Sequence, residues 1–90
     1  MPDESLLREK AREAIRSRKL PIAKPDRMFG GQGSAATCAI CGDAVRGDEV
    51  EIEIEFNRHG VTPGLDRYHL HQRCFTAWEF ERTKVPGTSI

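Results

Sequence analysis

Two pairs of potential metal ligands occur at short, regular spacings in this 90-residue chain. Cys38 and Cys41 are separated by two residues, and so are His71 and Cys74, with residues 42–70 between the two pairs. Thiolate and imidazole groups are preferred zinc ligands, and four of them complete a tetrahedral site. The spacing therefore predicts one structural Zn2+ bound by all four side chains, which leaves no coordination position for a substrate or a water.

Each pair requires its own local structure. Gly42 directly follows Cys41, and a glycine allows the tight turn that brings two cysteines onto one ion. His71 and Cys74 are three residues apart, a spacing that places both side chains on one face at the start of a helix. We predict this helix over residues 72–84, ending before a Pro-Gly pair.

His69 competes with His71 for the fourth ligand position, because alternate residues of the preceding strand share a face. The spacing to Cys74 favours His71, and His69 is then expected beside the site or at the surface. Under the competing hypothesis, Cys38 and Cys41 are ordinary buried thiols and His71 is a surface residue. The presence of both half-motifs, with compatible structure between them, favours the metal site.

An alternating pattern between the two ligand pairs predicts a β-hairpin. Residues 49–56 alternate glutamate with apolar side chains, as half-buried strands do. The apolar face carries Val50, Ile52, Ile54 and Phe56, and the polar face carries Glu49, Glu51, Glu53 and Glu55. Residues 57–66 contain glycines and a proline and are expected to form a long loop before a return strand at residues 67–71.

Residues 3–19 are predicted to form a helix with a narrow apolar stripe. The stripe consists of Leu7, Ala11, Ala14 and Ile15. Short helices are marginal in water, so this helix either docks on the metal-binding part or frays. Residues 20–36 are rich in proline and glycine and predict a linker, in which Met28 and Phe29 either anchor the segment or are incidentally exposed.

These elements together predict a small α+β protein stabilised by zinc. A zinc knuckle, a β-hairpin and a C-terminal helix occupy residues 37–85, preceded by the N-terminal helix and linker of residues 1–36 and followed by a tail of residues 86–90. Steps of about 100° per residue put Phe80 nearly opposite Cys74 on the C-terminal helix. We expect the N-terminal segment to cover Phe80 rather than leave it as a lone exposed aromatic.

Composition favours a metal over disulfides as the stabilising element. Charged residues make up 31% of the chain, which leaves a thin core in so short a domain. Three cysteines cannot all pair, and a C-x-x-C with an odd cysteine count is typical of metal binding in a reducing compartment. The first residues contain no apolar signal segment, and no run of about 18 apolar residues occurs, so a cytoplasmic protein that does not span a membrane is expected.

The order of C-x2-C-G, a hairpin, and H-x2-C-F at a helix start resembles the treble-clef zinc fingers. The ligand set and its spacing, within residues 37–84, are similar to those of the poly(ADP-ribose) polymerase-type zinc finger. Nearly the whole chain is also similar to small uncharacterised bacterial zinc-binding proteins, through P-D-R and G-G before the first pair and W-E-x-E-R after the second. The first resemblance implies a treble-clef fold, the polymerase-type finger implies nucleic-acid binding, and the bacterial proteins imply no known activity.

The residues favour a non-enzymatic zinc module that binds an unknown protein partner. All three cysteines are used as ligands, and no catalytic residue is assigned. The sequence contains no serine–histidine–aspartate order, phosphate-binding glycine loop or H-E-x-x-H motif. Glu79 and Glu81 have the spacing of a possible acid–base pair but are expected to be solvated on an exposed helix. An enzyme or a metal sensor is a third hypothesis.

The alternative function is nucleic-acid binding through the basic N-terminal helix. Residues 1–37 carry eight Lys/Arg against five Asp/Glu, a net +3, and residues 38–90 carry six against nine, a net −3. The cations available for phosphate contacts are Arg8, Arg12, Arg16, Arg18, Lys19, Lys24 and Arg27. The glutamate face of the predicted strand would repel phosphate, and this disfavours nucleic acid as the partner.

Overall fold

The computed structural model describes residues 4–58 and 60–84, which form two helices and one antiparallel sheet. The elements in chain order are α1 (Glu4–Arg16), β1 (Arg27–Gln32), β2 (Val50–Arg58), β3 (Gly64–His71) and α2 (Gln72–Arg82). The strand order is β1-β2-β3. The small α+β class is therefore confirmed, whereas the tail predicted at residues 86–90 lies outside the described residues. Neither described helix has the length and apolar character needed to cross a membrane.

Helix α1 buries the apolar stripe that its sequence predicts. Its buried residues are Leu7, Ala11 and Ala14, and Ile15 packs against them. The helix ends at Arg16 rather than at residue 19, because the chain turns at Arg18, where φ is 62°. Leu7, Ala11 and Ala14 share one core with Trp78 of α2, and the two helices pack together. The N-terminal helix therefore docks on the rest of the protein.

The prediction of an irregular linker over residues 20–36 is wrong for Arg27–Gln32, which form strand β1. This strand pairs antiparallel with β2, so that Gly30 lies opposite Ile52. All of its residues are exposed at the edge of the sheet. Its sequence shows no alternation, and pairing with β2 rather than local preference creates the strand. The domain boundary predicted between residues 36 and 37 stays a prediction.

Strands β2 and β3 form the predicted hairpin, and the return strand begins at Gly64 rather than at residue 67. Ile54 and Leu70 are fully buried on the face that α2 covers, and the Phe56 ring meets Trp78 edge-on at 6.3 Å between centroids. Val50 departs from the predicted apolar face: it lies at the end of the sheet and is 47% exposed.

The polar face of β2 is not the open acidic surface that the alternation predicts. Glu51 and Glu55 are buried. Arg67 Nε donates a hydrogen bond of 2.9 Å to Glu55 Oε2 and lies 3.0 Å from Glu53 Oε2. The backbone N–H and the hydroxyl of Ser34 both donate to Glu51 Oε1. Contacts with these neighbouring groups thus replace the hydrogen bonds to water that the carboxylates lose on burial.

Phe80 contacts the N-terminal segment but is not covered by it. The Arg8 guanidinium lies 4.2 Å from the Phe80 ring centroid, and the Phe80 side chain stays 42% exposed. The N-terminal segment instead reaches Trp78, whose indole N–H donates a hydrogen bond of 3.1 Å to the carbonyl of Pro21. The contact expected between Phe80 and the N-terminal segment is confirmed, and the expectation that this segment covers Phe80 is wrong.

Candidate metal centre

Residues 37–44 form a tight knuckle that presents Cys38 and Cys41. Its ends are joined by a bridge between Thr37 and Ala44. Inside it, Gly42 has a φ of 83° and donates its N–H to the Cys38 carbonyl at 3.0 Å. Residues other than glycine rarely adopt this conformation, which explains the glycine directly after the second cysteine.

A backbone hydrogen bond fixes the knuckle to the sheet. The N–H of Ala39 donates to the carbonyl of His69 at 2.9 Å. His69 belongs to β3, two residues before the end of that strand at His71. The first ligand pair is thereby held beside the point where β3 passes into α2.

The second pair lies where the strand becomes the helix. His71 is the last residue of β3 and the residue that caps α2, with φ −64° and ψ 152°. Cys74 lies in the first turn of the helix and is fully buried. An extended cap residue followed by a helical turn directs both side chains toward the knuckle.

The structure brings together all four of the side chains that the spacing predicts. Cys38, Cys41, His71 and Cys74 place their ligand atoms within 4.8 Å of one another. His71 Nδ1 lies 3.4 Å from Cys41 Sγ and 4.0 Å from Cys74 Sγ. A tetrahedron with zinc-like bond lengths has sulfur–nitrogen edges of about 3.6 Å. The four residues therefore fit one metal ion.

Hydrogen bonds between the sulfurs and from the backbone set the protonation of the three thiols. The hydrogen bond from Cys74, joined by backbone N–H groups, lowers the pKa of Cys38 to about 4 against the effect of burial. The same pairing with Cys38 raises the pKa of Cys74, and burial raises the pKa of Cys41. Metal binding would release the protons that the thiols still carry.

The far side of the His71 ring is held by two oxygens. His71 Nε2 lies 3.2 Å from the Ala44 carbonyl and 3.3 Å from Glu49 Oε1. An Nε2–H that donates to these acceptors leaves the Nδ1 lone pair free to face the cysteines. Glu49 is held in turn by the Arg46 N–H, a hydrogen bond that lowers its pKa.

Sequence reasoning assigned Glu49 to an outer strand face and missed this contact. Glu51 in β2 lies opposite His71, the last residue of β3. Glu49, which directly precedes β2, therefore lies beside the end of β3. That position follows from the register, which the sequence alone did not supply.

His69 belongs to a different cluster. Its Nδ1 lies 2.7 Å from Glu51 Oε2 and 3.9 Å from Glu53 Oε1. These three side chains also fall within metal-binding distance of one another. Ser34 and Arg67 already bind the two carboxylates, so this cluster is accounted for as an ion-paired network.

The suggested acid–base pair on α2 is also accounted for by ion pairs. Glu81 is buried, which corrects the expectation that it is solvated, and its Oε1 lies 3.4 Å from Arg12 Nε. Glu79 pairs with Arg82 one turn along the same helix.

Comparisons with protein-family models, with curated proteins and with solved structures found no match. The assignment of the site therefore depends on its own geometry.

Proposed function

We propose that this protein is a non-enzymatic module, built around one structural zinc ion in a treble-clef-like arrangement, that binds another protein. The observation that carries the proposal is the closed Cys3His cluster. Four protein ligands fill a tetrahedral zinc site, and catalytic zinc sites keep one position open for water or substrate. The mixed sulfur and nitrogen ligands favour zinc over iron.

The small core supports a folding role for the metal. Cys38, Cys74 and His71 are themselves among the most buried side chains. A metal ion bound by these side chains would join the knuckle, the end of β3 and the start of α2 at one point. Zinc at such sites contributes on the order of 10–16 kcal/mol, more than the net stability of a small domain.

A groove between α1 and α2 supports a protein partner. Its volume is about 490 Å³, and Leu7, Ala77 and Phe80 give it an apolar lining. Arg8 and Arg73 also line it. A partner that inserts an apolar side chain and places a carboxylate beside these two guanidinium groups would match the lining of the groove.

The zinc proposal is tested by native mass spectrometry and by NMR during chelation. One zinc per chain is expected, and a strong chelator should collapse the dispersed amide spectrum. A dispersed spectrum from metal-free protein would overturn the structural role of the metal.

The partner proposal is tested by affinity capture with a matched pair of variants. Phe80→Glu should remove a partner that the native protein retains, and Val61→Glu should not, because Val61 is fully exposed in the β2–β3 loop. Equal capture by the two variants would place the partner outside the groove.

Nucleic-acid binding through α1 is left without a supporting observation. Arg8, Arg12 and Arg16 are each paired with a glutamate within the described structure. The glutamates of β2 are also paired, so repulsion from that face is weaker than the sequence suggests. Gel-shift assays with DNA and RNA at low salt test the alternative, and loss of a shift on changing Arg16 and Lys19 would support it.

A further inference from the structure

Strand β1 leaves one edge of the sheet open. Just after β1, the Gly33 N–H donates to the Glu49 carbonyl at 2.9 Å. This hydrogen bond determines which residues of β1 direct their backbone groups toward β2 and which direct them outward. Backbone groups alternate in direction along an antiparallel strand, so Phe29 and Gly31 direct theirs toward β2. The residues that direct N–H and C=O groups outward are Met28, Gly30 and Gln32. The described part of the chain provides no strand on that side.

Beyond Arg27, the edge lacks the usual protection against pairing. Natural edge strands carry lysine, proline or inward-pointing charges that prevent association. The sequence RMFGGQ has neither lysine nor proline. Met28 and Phe29 are 56% and 50% exposed, and two glycines follow them. Such a strand favours the addition of another strand.

We propose that β1 pairs antiparallel with β1 of a second copy of this chain, about a two-fold axis at Gly30. This register places Met28 opposite Gln32 of the partner subunit. Each outward N–H of one copy then lies opposite an outward C=O of the other copy, and about six backbone hydrogen bonds form between the two strands. The two three-stranded sheets become one continuous sheet.

Side-chain shape favours this register. Phe29 lies opposite Gly31 of the partner subunit, in a pair without hydrogen bonds, where side chains approach most closely. A Cβ added at Gly31 would meet no atom within 4 Å, so the space beside this glycine is open. The phenyl ring of one copy fills that space on the other, and the symmetry repeats the contact.

This interface goes beyond the proposed function, because it uses the β1 edge rather than the groove between α1 and α2, and it does not depend on the metal. The six residues of β1 are fewer than the roughly 20–30 residues that each partner contributes to a standard specific interface, so we expect weak association with a dissociation constant in the micromolar range. Measuring the zinc content of the same samples distinguishes the dimer proposal from the structural-zinc proposal. A zinc-bound monomer overturns the dimer alone, and a zinc-free dimer overturns the structural metal alone.

The test is sedimentation of the full chain from micromolar to millimolar concentration. Wild type should convert from monomer to dimer. Gly31→Lys should weaken dimerisation about tenfold or more, since its side chain occupies the space that Phe29 needs. Val61→Lys adds the same charge on the β2–β3 loop and should dimerise like wild type. Because the space beside Gly31 is open, both variants should keep one zinc and a dispersed spectrum.

Amide hydrogen exchange gives a second, residue-specific readout. As concentration rises, the amides of Met28, Gly30 and Gln32 should become protected, while those of Phe29 and Gly31 are protected throughout. A monomer at millimolar concentration overturns the proposal. So does a dimer that Gly31→Lys leaves unchanged, or one in which the outward amides still exchange freely. Strand addition by a different protein to an otherwise monomeric chain also overturns it.

Discussion

His71 Nε2 lies 3.3 Å from Glu49 Oε1, while the other ring nitrogen faces the three cysteines. The carboxylate therefore orients the imidazole from outside the cluster. Such supporting contacts usually matter to a metal site almost as much as the ligands themselves.

Replacing Glu49 with Gln should weaken zinc binding about 10–100-fold while the protein still folds at saturating zinc. The loss follows because a neutral amide holds the Nε2–H less strongly. A chelator-competition titration measures the affinity. Asp48→Asn is the matched control, since Asp48 pairs only with exposed Arg46 among the described residues. Equal affinities for the two variants would remove Glu49 from the site.

His71→Ala should abolish stoichiometric zinc or the folded state, and His69→Ala should keep both. The reason is that His71 Nδ1 belongs to the cysteine cluster, whereas His69 binds Glu51. Native mass spectrometry counts the zinc in each variant. The reverse pattern would transfer the fourth ligand to the strand.

Leu7→Ala should lower the free energy of unfolding by about 2–3 kcal/mol, because it empties part of the contact between α1 and the core. Leu6→Ala should change it by no more than about 0.5 kcal/mol. The two leucines are neighbours, but Leu7 is 4% exposed and Leu6 is 44% exposed. Urea unfolding at saturating zinc compares them, and equal effects would mean that α1 does not dock in solution.

Gly33→Ala should destabilise the protein by more than about 2 kcal/mol, and Gly31→Ala should be tolerated. A Cβ at Gly33 would lie 1.8 Å from the Arg46 carbonyl oxygen, so the backbone would have to move. At Gly31 the same atom meets nothing within 4 Å. Thermal unfolding at low protein concentration measures both, and a stable Gly33→Ala variant would argue against the close approach of these two segments.

Glu51→Gln should cost stability near neutral pH and progressively less in acid. Burial raises the pKa of Glu51, but hydrogen bonds from Ser34 and His69 more than offset this, and the pKa lies below its ordinary value. A depressed pKa stabilises the fold above the unfolded-state pKa, and the contribution is lost as pH falls through the folded-state value. Unfolding free energies of both proteins from pH 7 downward, at equal zinc saturation, should converge. A constant difference would contradict the stabilisation of the Glu51 carboxylate by these hydrogen bonds.

The site was easier to predict than the sheet. Two pairs of potential zinc ligands at short, fixed spacings predict a tetrahedral site regardless of the residues between them. The sequence alone could therefore assign Cys38 and Cys74 to one site. The strand at Arg27–Gln32 could not be predicted in this way. Its glycines and the preceding proline are typical of a loop, and the segment is a strand because it pairs with β2. The alternation around Glu51 located β2 correctly, but it could not show that Ser34 and Arg67 would cover the polar face.

The indole of Trp78, the sole tryptophan, is fully buried and hydrogen-bonded to the Pro21 carbonyl, one turn after Cys74 of the candidate metal centre. Its fluorescence emission is therefore an intrinsic optical probe of two events in one molecule. Emission at short wavelength reports an intact core around α2. A red shift on chelation would report the release of the N-terminal segment and the opening of the metal centre together, without any label attached to the chain.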